Sequence, residues 1–237
     1  MPYRRLPNTD AARIKALSTA IEKSSNLHPD ELAFSYATLQ KAKFFLSTYK
    51  QSLHLKKSES RNQTEKGAEY AQAFKKLKMY VSHFIHVLQF CVQREEMQPQ
   101  VLNYYNLQSV NKTLPELRTD QQLIDWAQTI IQGEDKRIME GGTPMLNPRI
   151  ALVKIHVTKF IEAQRNHSVL AAKNERAVGF IDELRTEAHE IIVDIWNQVE
   201  AKFKDLPASE RRLRAEEYGV KYVFRKSEIL KNSENGQ

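Results

Sequence analysis

The chain has 237 residues, of which 41% are hydrophobic and 27% are charged. This balance is ordinary for a folded protein in water and excludes a chain that is disordered throughout. The formal net charge of +7 permits contact with nucleic acid or an anionic surface but does not by itself indicate either. With only 7 glycines and 8 prolines, the composition favours long helices.

Cysteine content and hydropathy exclude two further classes of protein. The single cysteine, Cys91, allows neither an intramolecular disulfide nor a metal site built on several cysteines. No apolar run approaches the roughly 20 residues of a membrane-spanning helix, and residues 1–10 lack the apolar core of a signal peptide. We therefore expect a cytoplasmic protein that does not enter a membrane.

The first helix is predicted to follow the capping side chains of residues 8–10 and to end near Ser24. A second helix begins near Pro29, because the fixed φ of proline suits a first helical position. Residues 58–67 are polar and show no apolar period, so we place a turn there. The pattern predicts a hairpin of two antiparallel helices between Pro29 and Pro99.

Residues 77–92 are the most strongly patterned stretch and form the return helix of this hairpin. Their apolar side chains repeat at the four-and-three spacing of a helix packed in a bundle, namely Leu77, Val81, Phe84, Leu88 and Cys91. Further apolar residues widen the stripe over most of the helix circumference. The pattern predicts an inner helix with neighbours on several sides.

A connector follows at residues 100–147 and contains one helix. Thr119 and Gln122 match a capping box at the start of this helix, and Gly141 follows its end. Gly133 lies inside it and is a weak point, because glycine is a poor helix former.

A second hairpin is predicted at residues 148–205. Apolar residues repeat at heptad spacing in both of its halves, and the polar stretch at residues 172–179 predicts the turn between them. The design resembles that of the first hairpin, but the residues do not match well enough to indicate a duplication.

Residues 206–237 are predicted to hold a short charged helix and then one β-strand. Val220, Tyr222 and Phe224 point to a strand because they alternate with other side chains at a period of two. Three partners are open to this strand: residues 3–6, the segment near Tyr104, or a second molecule.

Together these patterns predict an all-α fold. It consists of two long antiparallel helical hairpins packed as a bundle, with short terminal helices and a possible short C-terminal β-strand. We expect residues 1–237 to form a single elongated helical domain. Its parts are residues 8–99, 100–147, 148–205 and 206–237.

A metal site is the first chemical hypothesis. His83 and His86 lie three residues apart on a predicted helix and are therefore neighbours on its surface. Carboxylates or further histidines must complete such a site, and Glu187, His189 and Glu190 are the candidates. The chain lacks the Glu-x-x-His motif of bundle di-iron sites, so we expect histidines that border the core, with no catalytic residue, metal or other cofactor.

A basic and aromatic segment near the C-terminus is the second hypothesis. Its members are Arg211, Arg212, Arg214, Tyr218, Tyr222, Phe224 and Arg225. Basic residues mixed with aromatic ones hold single-stranded nucleic acid by charge and stacking. Docking of a partner protein is the other functional interpretation, while acidic residues that interrupt the segment favour a structural role at the end of the bundle.

Three segments, residues 79–89, 195–207 and 217–225, are similar to an uncharacterised family of all-helical proteins from Bacteroidetes-type bacteria. The resemblance implies a helical fold over most of the chain and implies no activity. The function we expect is that of a non-catalytic helical-bundle protein, a structural or protein-interaction module that forms a homo-oligomer or binds a helical partner. Nucleic-acid binding and a metal-binding bundle are the alternatives.

Overall fold

The computed structural model describes residues 2–107 and 114–224. Short 3-10 turns occupy Pro29–Glu31 and Pro99–Tyr105. The helices and strands, in chain order, are β1 (Tyr3–Arg4), α1 (Asp10–Ser25), α2 (Tyr36–Gln93), α3 (Asp120–Met139), α4 (Ile150–Lys202), α5 (Ala208–Glu216) and β2 (Tyr222–Val223).

The predicted all-α bundle is confirmed, and so is the C-terminal strand. β2 pairs antiparallel with β1, with Tyr3 opposite Val223 and Arg4 opposite Tyr222. Of the partners open to this strand, the N-terminal segment is therefore the correct one. No helix in the described part of the chain combines the length and apolarity needed to cross a membrane.

Both predicted turns are wrong. Residues 58–67 lie inside α2, which is 58 residues long, and residues 172–179 lie inside α4, which is 53 residues long. Polar side chains alone do not end a helix, and neither stretch contains a proline. An ion pair between Arg61 and Glu65, one turn apart at 3.0 Å, adds local support. Each predicted hairpin is therefore one continuous helix.

The predicted start of the second helix at Pro29 is also wrong. Pro29 begins a 3-10 turn instead, and α2 begins at Tyr36. The hydroxyl of Ser35 accepts the backbone N–H of Thr38 at 3.1 Å, which satisfies one of the free donors at the helix start.

The chain forms two compact units. The terminal unit consists of residues 1–59 and 174–237, and the middle unit consists of residues 60–173. Because α2 and α4 each cross the unit boundaries, both units contain part of both long helices. The single domain expected from the sequence stays a prediction.

Each unit has its own apolar core, in which one short helix packs on the two long ones. In the terminal unit, α1 places Leu17 in a cluster with Tyr49 of α2 and Trp196 of α4. In the middle unit, the predicted stripe of residues 77–91 is buried together with Ile130 of α3 and other apolar side chains. The interpretation of residues 77–92 as an inner helix is thus confirmed.

A carboxylate at the first residue of α1 joins three helices of the terminal unit. Asp10 follows the capping residue Thr9. The Tyr49 hydroxyl on α2 donates to Asp10 at 2.7 Å, and two nitrogens of Arg185 on α4 donate to its oxygens at 2.8 and 2.7 Å. The bidentate bond from Arg185 and the bond from Tyr49 together fix the angle at which α1 meets the long helices.

The middle unit contains the same arrangement. Asp120 is the first residue of α3 and follows Thr119, which forms the predicted capping box. The Tyr70 hydroxyl on α2 donates to Asp120 at 2.6 Å, and the Gln164 amide on α4 donates to it at 2.8 Å. Each short helix is therefore tied by its first residue to both long helices.

The segments that follow the long helices also share one turn. The N–H of Leu107 bonds to the C=O of Leu102 at 3.1 Å in the middle unit, and the N–H of Val220 bonds to the C=O of Ala215 at 3.3 Å in the terminal unit. Each turn requires one residue with a left-handed backbone conformation: Asn106, with a φ of 52°, and Gly219, with a φ of 84°.

Substitution of the helical glycines tests whether the two long helices are continuous. A Cβ at Gly67 meets only ordinary contacts with His167, and one at Gly179 meets nothing within 4 Å. Gly67→Ala and Gly179→Ala should each raise the free energy of unfolding by about 0.5–1 kcal/mol, because alanine favours a helix interior. Urea unfolding followed by circular dichroism measures both effects.

Gly133→Ala on α3 is the matched control for these variants. A Cβ there would lie 2.4 Å from the carbonyl oxygen of Tyr104, so this substitution should destabilise the protein although Gly133 is also helical. Destabilisation by Gly67→Ala and Gly179→Ala would instead favour the turns predicted from the sequence.

The Asp10 cluster predicts a loss of stability in acid. The hydrogen bond from Arg185 lowers the pKa of Asp10 from 3.8 to about 2. Since the folded pKa lies below the unfolded one, the contribution of Asp10 is complete above about pH 4 and is lost as the pH falls toward 2. Asp10→Asn should cost about 2 kcal/mol at pH 7 and should flatten the acid limb of the stability curve.

Asp182→Asn is the control for Asp10→Asn. Asp182 binds the same arginine at 2.7 Å but its side chain is 60% exposed, so its loss should cost less than about 1 kcal/mol. The explanation fails if Asp10→Asn and the native chain lose stability equally between pH 4 and pH 2 in urea titrations.

Candidate interaction surfaces

The residues predicted as metal ligands fall into different units. His83 and His86 lie on α2 in the middle unit, whereas Glu187, His189 and Glu190 lie on α4 in the terminal unit. The His86 ring stacks on Phe90, with 6.3 Å between ring centroids. Within the described residues, no group of three or more histidine, cysteine, aspartate or glutamate side chains is placed to hold a metal ion.

The two tyrosines of the C-terminal segment, Tyr218 and Tyr222, make contacts inside the terminal unit. Tyr218 is buried, and its ring makes an edge contact with Phe34 at 6.2 Å. The hydroxyl of Tyr222 donates to Glu200 at 2.6 Å, and burial followed by this bond raises the pKa of Tyr222. Phe224 is 45% exposed, so it alone of these three aromatic side chains is available for stacking.

The arginines of this segment lie on α5, apart from Arg225, which is outside the described residues. Arg214 pairs with Glu217 at 3.7 Å, and Glu217 in turn pairs with Lys23 of α1 at 2.5 Å. Arg211 and Arg212 are half-buried. The basic and aromatic side chains therefore do not form one uninterrupted exposed surface in the described part of the segment.

A different surface lies on α2 and α4 of the middle unit. Tyr80 of α2 stacks on His156 of α4 with 4.3 Å between ring centroids, which joins the two helices at the surface. Large apolar side chains beside this stack remain in contact with solvent: Met79 is 57% exposed, Leu152 38% and Ile155 48%. Leu152 lies one helical turn from both Ile155 and His156, and Met79 lies one turn from His83.

We call this surface the open face and define it by Met79, Tyr80, His83, Leu152, Ile155 and His156. Lys76 and Lys159 border it one helical turn from Tyr80 and His156. Burial, followed by the positive charges of Lys159 and Lys76, lowers the pKa of His156. The open face therefore combines apolar side chains with positive charge.

The sequence interpretation missed a buried ionic cluster around α3. Glu134 is fully buried and accepts hydrogen bonds from the Arg137 guanidinium at 2.9 to 3.0 Å. It also accepts the Met145 N–H at 2.8 Å and the hydroxyl of Tyr105. Arg137 donates further to the carbonyl of Thr143 at 2.7 Å.

The geometry of this cluster indicates a structural role. The side-chain oxygens of Glu134 accept hydrogen bonds from α3, from the 3-10 turn at Pro99–Tyr105 and from the loop after α3. The carboxylate therefore holds three segments together. One signal was visible in the sequence, because Glu134 and Arg137 are three residues apart, a spacing that brings opposite charges together on a helix. Their burial was not visible, because it depends on segments distant along the chain.

Comparison of the chain with protein-family models, with curated proteins and with solved structures gives no match.

The buried cluster predicts a large effect of one neutralising substitution. Glu134→Gln should lower the free energy of unfolding by about 3 kcal/mol, because it leaves the buried Arg137 guanidinium without a counter-charge. Asp135→Asn is the control: Asp135 pairs with Lys154 at 2.9 Å on the surface, and its loss should cost less than about 1 kcal/mol. Equal urea midpoints for the two variants would contradict the structural role of Glu134.

Proposed function

We propose that the protein is a non-catalytic, cytoplasmic interaction module that binds a helix of a partner protein on the open face. The observation that carries the proposal is the exposure of Met79, Leu152 and Ile155 around the Tyr80–His156 stack. Apolar side chains grouped on a surface are typical of protein contacts. Two adjacent antiparallel helices with such side chains offer the groove into which an amphipathic helix packs its apolar face.

The antiparallel direction of the two helices follows from their contacts within the middle unit. Tyr70 stacks on His167, and Tyr80, further along α2, stacks on His156, earlier in α4. The side chains of α2 and α4 that face each other therefore form two rows, which run along the helix axes. An incoming helix meets these rows with apolar residues spaced by three and four.

Charge supports a partner with acidic residues. Lys76 and Lys159 are exposed and form no ion pair with any described residue. A helix that carries glutamate or aspartate beside its apolar stripe would neutralise both lysines and meet the exposed apolar residues at the same time. A second copy of this chain would instead bring like charges together, which favours a different partner over self-association on this face.

Photo-crosslinking in cells that express the protein naturally tests the proposal. We expect a benzoylphenylalanine at Ile155 to crosslink to a partner, and one at the exposed Arg165 of the same helix to give no such product. Mass spectrometry should identify a crosslinked peptide whose sequence has apolar residues spaced by three and four, with acidic residues beside them. Lys76→Glu combined with Lys159→Glu should reduce the product at least about five-fold, because it reverses the charge that faces the partner.

Lys78→Glu on α2 is the matched control, since Lys78 is exposed but lies away from the open face. It should leave the product unchanged, and circular dichroism should show equal folding of all variants. The proposal is refuted if the crosslink is insensitive to reversal of Lys76 and Lys159, or if Arg165 gives the same product. A crosslink between two copies of the chain would establish self-association in place of a partner.

A further inference from the structure

A second candidate site lies in the terminal unit. A cleft of about 580 Å³ opens beside the β1–β2 pair, between the chain segment that follows β1, one side of α1 and the chain around β2. Its apolar wall is formed by the partly exposed Leu6, Pro7 and Ala12, and is backed by Trp196 and Val220, which are almost fully buried. This volume lies within the range of about 300–1,000 Å³ that is typical of pockets for small organic molecules.

The walls of the cleft are held by specific contacts. The guanidinium of Arg4 lies 5.8 Å from the Trp196 ring centroid and donates to Asn197 at 2.8 Å and to Glu200 at 3.2 Å. Gly219 also lines the cleft; it has a φ of 84°, and a Cβ there would lie 3.1 Å from the carbonyl oxygen of Ala16. The backbone at Gly219 therefore lies close to α1 in a left-handed conformation that favours glycine.

The rim of the cleft has an excess of positive charge. Arg5, Lys15 and Lys221 line it together with a single acidic residue, Glu216. All four side chains are exposed, and none forms an ion pair with a residue that the structure describes. The neighbouring Arg4 is already paired with Glu200, so the three rim cations are the ones available to a ligand.

We infer that this cleft binds a small organic anion with an aromatic or aliphatic body. The apolar wall receives the body, and Arg5, Lys15 and Lys221 receive the carboxylate, sulfonate or phosphate group. The inference concerns residues of the terminal unit and is independent of the helix-binding function proposed for the middle unit.

Two fluorescent probes of nearly the same shape test this inference. Anilinonaphthalenesulfonate carries an anionic group, and phenylnaphthylamine has the same aromatic body without it. We expect the full-length protein to bind one equivalent of the sulfonate, at least about ten-fold more tightly than the neutral probe. Fluorescence titration at low ionic strength measures both dissociation constants.

Variants assign the binding to the cleft. Lys15→Gln combined with Lys221→Gln should weaken the sulfonate at least about five-fold and leave the neutral probe unchanged. Lys41→Gln combined with Lys57→Gln removes the same charge from exposed positions of the terminal unit outside the cleft and should change neither constant. Ala12→Phe should weaken both probes because it fills the cleft.

The inference is overturned if the two probes bind equally well, or if the Lys15 and Lys221 variant binds the sulfonate as the native chain does. Binding of several equivalents that Ala12→Phe does not reduce would also overturn it, because such binding is not confined to the cleft. Circular dichroism melts of each variant establish that the chain is folded when it is titrated.

Discussion

A carboxylate at the first position of a short helix holds each unit together. Asp10 and Asp120 both follow a threonine cap, and each receives hydrogen bonds from one side chain on α2 and one on α4. The two long helices could slide along one another if only apolar surfaces met, because leucine and valine contacts have little directional preference. Directed bonds to a single carboxylate fix the register of three helices at once, and the cores and surfaces described above depend on that register.

The two units share this construction. Thr9-Asp10 recurs as Thr119-Asp120, and the partners on the long helices exchange roles: Tyr49 corresponds in position to Gln164, and Tyr70 to Arg185. The side chains differ, but each pair supplies donors to the aspartate. The likeness of the two units therefore lies in the contacts of a short helix with two long ones, and not in the two hairpins predicted from the sequence.

Local signals in the sequence predicted the elements whose causes are local. The stripe from Leu77 to Cys91, the capping box at Thr119 and the alternation at β2 all depend on neighbouring residues, and all three are confirmed. The turns predicted at residues 58–67 and 172–179 were wrong, because polar side chains indicate that a stretch is exposed to solvent and do not indicate that the chain reverses direction. The Glu134 cluster and the cleft beside β1 and β2 could not be predicted, since each is assembled from segments far apart in the chain.

The division of the chain between the units has a consequence for the order of folding. The middle unit is one uninterrupted segment, residues 60–173, whereas the terminal unit needs residues 1–59 together with those after 173. During synthesis the middle unit is therefore complete before the terminal unit has received its second half. Until then the first part of α2 and all of α1 have no partner in α4, and the apolar surface around Leu17 and Tyr49 stays exposed to water.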